Sequence, residues 1–588
     1  MPQENIRAEA HQLVTIFKTE ALLFVPIFQR PYVWTKPTID VLFENVEDID
    51  LTRADDTHFV GAVFTSERKA GEAGRAAEYW LIDGQQRITT VYLALLQLAL
   101  HAVKAHPPEY EPRREFLRMV ERYLFERLPS DEFQPRLMPT LRDCRQLRDA
   151  LQKYESASCP VKLPPDDGPA DGYLANAFLH VGKRVGQLTQ VDKKFSLSKA
   201  QDLFKKLLNK LIVVHISLSE SDDPTQIFHT LNATGQKLEI VDLARNDVFK
   251  RIKDDPEYSK CRALYDAQWK PLETRFETTD ALNKYMFPYA LAMSPSAKAS
   301  KLFPTLRHAW EKMSPEAIID DLKRHAGVYL SFTKSSPDEL ESLALPEPLR
   351  AQFYRLRRMG SGLPSSTYPF LFNLHHAWRQ GALSEALLLR NLQLVESFLI
   401  RRFCSGHEPT GLHAIFKKLW QATEGDPAKF LEVIADVKTI YFPDDNEFAH
   451  ALRTKPLFGR GLTPYMATEY ERSRDPDTAL PIAEDPSELV VLEHIMPEAE
   501  AEGWTLPHEA ELPLLLTWGN LALRHIDDAS TVGAAPWAQA RVERLGSAFA
   551  SVKEIAANQV WTVESIRARG EGLAAWALKR WPVHISHG

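Results

Sequence analysis

Asp83, Gly84, Gln85, Gln86 and Arg87 put an acid, a glycine, two amides and a base into consecutive positions. They lie where an apolar, strand-like run ends and a helical pattern begins. A strand that leads through Asp-Gly straight into a helix makes an anion site. The first helical turn leaves backbone N–H groups unpaired, and the aligned peptide dipoles favour negative charge there. Gly84 allows close approach of a ligand to the backbone. Arg87 suits a bidentate phosphate contact, and Asp83 suits a metal ion or an oriented water. Gln85 and Gln86 both donate and accept hydrogen bonds. The same five residues also suit an ordinary helix cap with a solvated first turn, and the pattern alone does not choose.

Two further stretches carry comparable chemistry. "FVPIFQRPYVW" places Gln29 and Arg30 at the end of a strand, before Pro31 and among aromatic residues, a setting for phosphate and base recognition or for a plain aromatic edge. "FHTLNATGQKLEIVDLARND" puts Asn232, Thr234 and Gly235 in a turn and Asp242, Arg245 and Asn246 on a helix, which is also how a simple turn and capped helix would read.

These residues need elements to position them. "ALLFVPIF", "THFVGAVFTSE", "EYWLID" and "LNKLIVVHISLSE" read as strands, the second and third close enough in sequence to pair. "PTIDVLFENVEDID" and the run from Ile88 onward have helical spacing of apolar residues. From about Tyr258 to Phe442 nearly everything reads as amphipathic helix, and a polar, proline-containing linker opens the last hundred residues.

The composition of the 588 residues, 44% hydrophobic and 26% charged, is that of a packed globular protein with several domains. No apolar run is expected to reach the roughly 20 residues of a membrane span. No secretory signal is evident at the start. Cys144, Cys159, Cys261 and Cys404 are scattered and form no CxxC pair, against a zinc knuckle or a disulfide framework. A cytoplasmic protein is expected. Its net charge of −8 leaves nucleic-acid binding to local patches. The arginine-rich runs Glu115–Asp143, Phe353–Gly360 and Ile400–Gly406 are candidates for such patches, although most arginine runs on helices are solvated faces.

In order, "IFQRPYVW", "HFVGAVF", "WLIDGQQRITT", "RLMPTLRD" and "IFHTLNATGQKLEIVDLARND" resemble the N-terminal domain, often called DUF262, of the GmrSD family of modification-dependent restriction proteins. The resemblance implies a ParB/sulfiredoxin-like α/β fold that binds and hydrolyses a nucleoside triphosphate. By matching position, Asp83, Gly84, Gln85, Gln86 and Arg87 would form that site, with Gln29 and Arg30 facing it. Asn232, Thr234, Gly235, Asp242 and Arg245 would close it from the other side. "VVLEHIMP", "TWGNLAL" and the closing "VWTVESIRARGEGLAAWALKRW" resemble the family's DUF1524 nuclease domain of the HNH (His-Me finger) group, a ββα unit. That resemblance implies His494 as general base, Glu493 as a metal ligand and Asn520 as support for His494 or the metal loop. The family's downstream asparagines and lysine are missing. Asp527 or Asp528 is expected to substitute as a metal ligand and Arg541 for the lysine, unless the metal site has degraded.

The expected architecture is therefore α+β and multidomain: a nucleotide-binding domain over 1–255, a helical middle over 256–473 and an HNH-like domain over 474–588. The expected function is that of an anti-phage endonuclease using a nucleoside triphosphate and a divalent metal, Mg or Mn, on modified double-stranded phage DNA, with a homodimer left open. The alternative is a nucleotide-regulated DNA-binding sensor whose nuclease domain has decayed.

Overall fold

Each strand-like run forms a strand, and all four join one sheet. The structure is a computed structural model of the chain. It describes residues 7–17, 21–26, 29–71, 76–128, 132–155, 160–166, 168–218, 239–252, 259–334, 336–407, 410–437, 440–478, 480, 486–528 and 535–583. The chain divides into two compact units, Met1–Ala267 and Gln268–Gly588. Residues assigned from sequence to a helical middle and to a C-terminal segment thus share the second unit.

In the first unit, β1 (Arg7–Gln12), β2 (Ala21–Phe24), β3 (His58–Lys69), β4 (Ala77–Asp83), β5 (Leu137–Met138) and β6 (Leu211–Leu218) form a mixed sheet ordered β1-β6-β3-β4-β2-β5. As the short separation suggested, β3 and β4 pair antiparallel, whereas β6 runs parallel to β3 and β2 parallel to β4. Helix α1 (Lys36–Glu47) buries Ile39, Leu42, Phe43 and Val46. Helix α2 (Gln85–Ala105) is the spine of this unit, with Ile88, Tyr92, Leu95, Leu96 and Ala99 fully buried. It is flanked by α3 (Glu111–Leu124), α4 (Leu141–Glu155) and α5 (Tyr173–Leu188), and α6 (Ile240–Lys250) follows the sheet.

One expectation is corrected here. Helix α2 is long and apolar enough to cross a membrane by length and composition, at a mean hydropathy of 1.4, but 72% of that window is buried inside the protein. Its apolar character is that of a core helix packed on every side.

The second unit is built from helices, among them α7 (Thr279–Met293), α8 (Pro315–Thr333), α9 (Leu349–Arg358), α10 (Tyr368–Arg379), α11 (Glu385–Cys404), α12 (Asp445–Thr454) and α13 (Thr463–Arg474). A two-stranded antiparallel ribbon follows, β7 (Val490–His494) with β8 (Leu521–His525), and then α14 (Trp537–Leu545), α15 (Ala550–Ala556) and α16 (Val563–Arg580). A buried ionic network ties α16 to α9, α11 and α13. Glu396 is fully buried and accepts from Arg580 (2.7 Å), Tyr465 (2.7 Å), Trp581 Nε1 (2.7 Å) and Gln352 (2.6 Å). Glu469 accepts from Arg358 at 2.8 Å and Arg580 at 2.9 Å, with Arg355 3.3 Å away.

One arginine from each of two of the arginine runs is held in this packing. Arg358 is bound to Glu469, and the fully buried Arg401 donates to the Trp581 and Pro443 carbonyls and to Asp445. In the first run, buried Arg136 donates to the carbonyls of Arg122, Phe125 and Ala21. The expectation that these arginines face phosphate is corrected: each is a buried tie between elements.

Burial alone would raise the Glu469 carboxyl, but Arg580, Arg358 and Arg355 hold it down to about 2. A carboxyl depressed in the folded state adds stability that is present above its ordinary value near 4.5 and lost as pH falls toward 2. Glu469→Gln should remove that acid-side slope in a pH series of urea unfolding. At neutral pH it should cost about 3–5 kcal/mol, because Arg358 and Arg580 keep buried charge without a full counter-ion.

Candidate functional site

The turn from β4 into α2 is shaped by what lies beneath it. Gly84 has φ 85°, a left-handed conformation, and a β-carbon there would sit 2.9 Å from Val63 Cγ2 and 3.2 Å from the Ala62 carbonyl. The residue is glycine so that the turn can lie against β3. It is that packing, and not the approach of a ligand, that occupies the space. Gly84 is also the cap residue of α2 and makes no side-chain cap bond, while the Asp83 carboxylate takes the Gly84 N–H.

Both glutamines are buried and hold the Gln29–Val33 segment. Gln85 Nε2 donates to the Arg30 carbonyl at 3.1 Å. Gln86 Oε1 accepts from the Val33 N–H at 2.8 Å, and its Nε2 donates to the Pro31 carbonyl at 3.2 Å. Gln29 Nε2 in turn donates to the Ile82 carbonyl at 2.9 Å. The expectation that these amides contact a cofactor is corrected for Gln85 and Gln86. They form a clamp, and neither lines the neighbouring cavity.

Asp83 and Arg87 do line it. The cavity holds about 730 Å³ and is bounded also by Trp34, Thr38, Val41, Asn45, His58 and Phe59. Arg87 donates to the Ala62 carbonyl at 2.7 Å, and its guanidinium lies flat on Gly61, where a β-carbon would meet Cζ at 2.9 Å. Gly61 is also in the left-handed region, at φ 107°. Burial pushes the Asp83 carboxyl up, opposed by the Gly84 N–H and by the charges of Arg87 and Arg30. Arg30 thus belongs to the electrostatics of this site. The volume suits a nucleotide-sized ligand, and Arg87 and Asp83 are the groups that would hold its phosphates and an accompanying cation.

The sequence reading missed Gly61 and Asp143. Asp143, inside the quoted "RLMPTLRD", accepts from the Tyr32 N–H (2.8 Å) and Thr140 (2.8 Å), while Tyr32 OH bonds to Thr90 (2.7 Å). The motif anchors the Gln29–Val33 segment from its other side. Asn232, Thr234 and Gly235 lie outside the described residues. Asp242 and Arg245 are buried and bonded to each other at 2.6 Å within α6, and neither lines the cavity.

In the second unit, His494 ends β7. Burial lowers its pKa, partly offset by Glu498. Its ring lies 4.0 Å from that of Phe458. Nε2 is buried without a hydrogen-bond partner, 3.4 Å from Glu498 Oε1 in poor alignment. The proposed metal ligands do not assemble around it. Successive strand residues face opposite ways, so Glu493 is on the other face of the ribbon, paired with Arg544 at 3.0 Å and Arg524 at 3.5 Å. Asp528 lies on that Glu493 side: its charge acts on Glu493, and its carbonyl accepts from Arg524. Asp527 is exposed beside His525, which pairs with Val490 at the end of the ribbon away from His494. Among the described residues, no three donor side chains converge at His494, so Glu493, Asp527 and Asp528 do not fit a shared ion there.

Asn520 supports the His494 loop through the backbone and makes no bond to the ring. It is fully buried, and its amide is filled by the Met496 N–H and carbonyl (both 2.9 Å), the Leu515 carbonyl (3.0 Å) and Trp561 Nε1 (3.3 Å). Arg541 donates to the Ala556 carbonyl at 2.8 Å.

The first unit is thus an α+β unit with an arginine and a carboxylate lining one cavity beside a strand–turn–helix junction. Residues 13–249, all within the first unit, match the family model of the GmrSD restriction endonuclease N-terminal domain. The chain is also similar to an uncharacterized protein of Methanocaldococcus jannaschii, 23% identical over 304 residues, covering 47% of this chain and 47% of that protein. The chain thus spans about half the length of that curated relative.

Burial raises the Asp143 carboxyl to about 6. A carboxyl raised by folding gives stability that is full below its ordinary value near 3.8 and is lost as pH rises through 6. Asp143→Asn keeps an acceptor for Tyr32. It should flatten the fall in urea-unfolding stability between those pH values. Gln86→Ala should cost about 1–3 kcal/mol in the same measurement, by stranding the Val33 N–H and the Pro31 carbonyl.

Proposed function

We propose that the chain is a cytoplasmic anti-phage restriction endonuclease that hydrolyses a nucleoside triphosphate at the β4–α2 turn and cuts modified double-stranded DNA with its C-terminal segment. One observation carries the reading: Asp83 and Arg87 line the same cavity within the span matched by a restriction-endonuclease domain. A bound triphosphate with Mg or Mn supplies a scissile phosphoanhydride. Arg87, held on the Ala62 carbonyl, presents its remaining N–H groups to phosphate oxygens. Asp83 faces the same space, where a cation would favour its ionised form. The amide clamp holds the Gln29–Val33 segment, and with it Arg30, near enough for its charge to act on Asp83. In the C-terminal segment His494 is the base: held toward its neutral form by burial, its imidazole takes a proton from water.

A second reading is a nucleotide-regulated DNA-binding sensor that does not cut. The pairing of Glu493 with Arg544 and Arg524 favours it, because a carboxylate held by two arginines is a poor metal ligand.

Asp83→Ala and Arg87→Ala should each lower triphosphate hydrolysis at least 100-fold. Unchanged turnover rejects this site. His494→Ala should abolish cleavage of modified phage DNA while hydrolysis continues. If the unaltered protein nicks neither modified nor unmodified DNA with any triphosphate and Mg or Mn, the sensor reading stands.

A further inference from the structure

A cluster in the helical part of the second unit lies outside everything used above. Helix α8 places Asp321 and His325 one turn apart on one face, and α10 brings His376 to them. One donor atom from each residue lies within 4.8 Å of the others. We propose that Asp321, His325 and His376 form a binding site for a divalent transition-metal ion of the zinc class, with the Arg324 guanidinium as its built-in competitor.

Three features of the cluster argue for this. The first is distance. Donors around a tetrahedral ion held at 2.0–2.2 Å lie about 3.3–3.6 Å apart; His325 Nδ1 and Asp321 Oδ1 are already 3.6 Å apart, and a side-chain shift of about an ångström closes the set. The two rings are already stacked, 5.6 Å apart with planes 22° from parallel. The second is an ordered outer layer. Tyr289 OH donates to Asp321 Oδ2 at 2.8 Å, and Trp310 Nε1 donates to Tyr289 OH at 3.0 Å. This leaves Oδ1 as the inward oxygen, oriented as ligating carboxylates commonly are. The third is the position of the arginine. Its Nη1 lies 3.2 Å from Asp321 Oδ1 and 3.2 Å from His376 Nδ1. A guanidinium only donates, so His376 Nδ1 directs a lone pair, and Asp321 an oxygen, at one place where a cation already sits. The Arg324 side chain is 35% exposed and reaches solvent by rotation.

The chemistry of the donors agrees. His376 Nδ1 already offers its lone pair, since the Arg324 guanidinium beside it can only donate. His325 Nδ1 donates its N–H to the Asp321 carbonyl at 2.9 Å and lies 3.6 Å from its carboxylate, so ligation through Nδ1 goes with a tautomer change that carries that proton to Nε2 as the ring gives up the carbonyl. Two imidazoles and a carboxylate suit a borderline ion better than Mg or Ca. Three protein ligands leave a position for water.

The test uses the full chain, stripped with chelator and titrated separately with Zn²⁺ by calorimetry and with Co²⁺ by visible absorption. One equivalent should bind. Arg324→Ala should bind at least 10-fold more tightly, since it removes the competing cation. Asp321→Asn and His376→Ala should each weaken binding at least 10-fold. Failure of the unaltered protein to bind either ion overturns the proposal. So does binding that survives unchanged in both ligand variants, or an Arg324→Ala variant that binds no more tightly. Because Arg324→Ala is a gain of affinity, misfolding cannot imitate it. Neither triphosphate hydrolysis nor DNA cleavage enters the readout.

Discussion

At the base of the N-terminal unit, β3 and the first turn of α2 approach so closely that a β-carbon fits at neither Gly61 nor Gly84. Both residues have positive φ, so backbone shape and lack of space select glycine together. This contact sets the height of α2 above the sheet. It lays the Arg87 guanidinium across β3, and it places Gln85 and Gln86 where their amides meet the Gln29–Val33 backbone. The cavity between α1, β3 and the turn follows from that spacing.

The buried hydrogen-bonded groups here and in the ionic network of the second unit follow one rule: each is acceptable only with its partners in place. Around the β4–α2 turn the rule yields mainly amide-to-backbone and hydroxyl-to-carboxyl hydrogen bonds. In the second unit it yields charge, with Glu396 and Glu469 facing three arginines. Buried pairs of this kind add little net stability over apolar packing but penalise every arrangement that separates them. They therefore fix which helices meet.

The sequence was most legible where periodicity changes. The β4–α2 boundary at residues 83–85, the β3–β4 pair and strand β6 all follow from local pattern. The candidate site was legible in part. Asp83 and Arg87 were read as facing a ligand and do line the cavity. Gln85 and Gln86 were misread because their partners lie about 55 residues away, beyond any local window. Gly61 sits inside an ordinary strand pattern, and only its positive φ and its contact with Arg87 in the fold distinguish it. Glu493 looked like a ligand because Arg544 and Arg524, which bind it, are distant in sequence. Arg136, Arg358 and Arg401 were misread for the opposite reason: residue type was plain, but burial is set by tertiary packing.

The last described residues reach back into the helices of their own unit. Arg580 and Trp581 bond Glu396, the Trp581 carbonyl accepts from Arg401, and the Pro582 carbonyl accepts from Ser397 at 2.8 Å. The ribbon-bearing tail is consequently not a detachable cassette. Excised alone, it would expose an arginine and an indole made for a buried acid, and the remaining helices would keep that acid uncompensated. Grafting it between homologues would require carrying α9, α11 and α13 along with it.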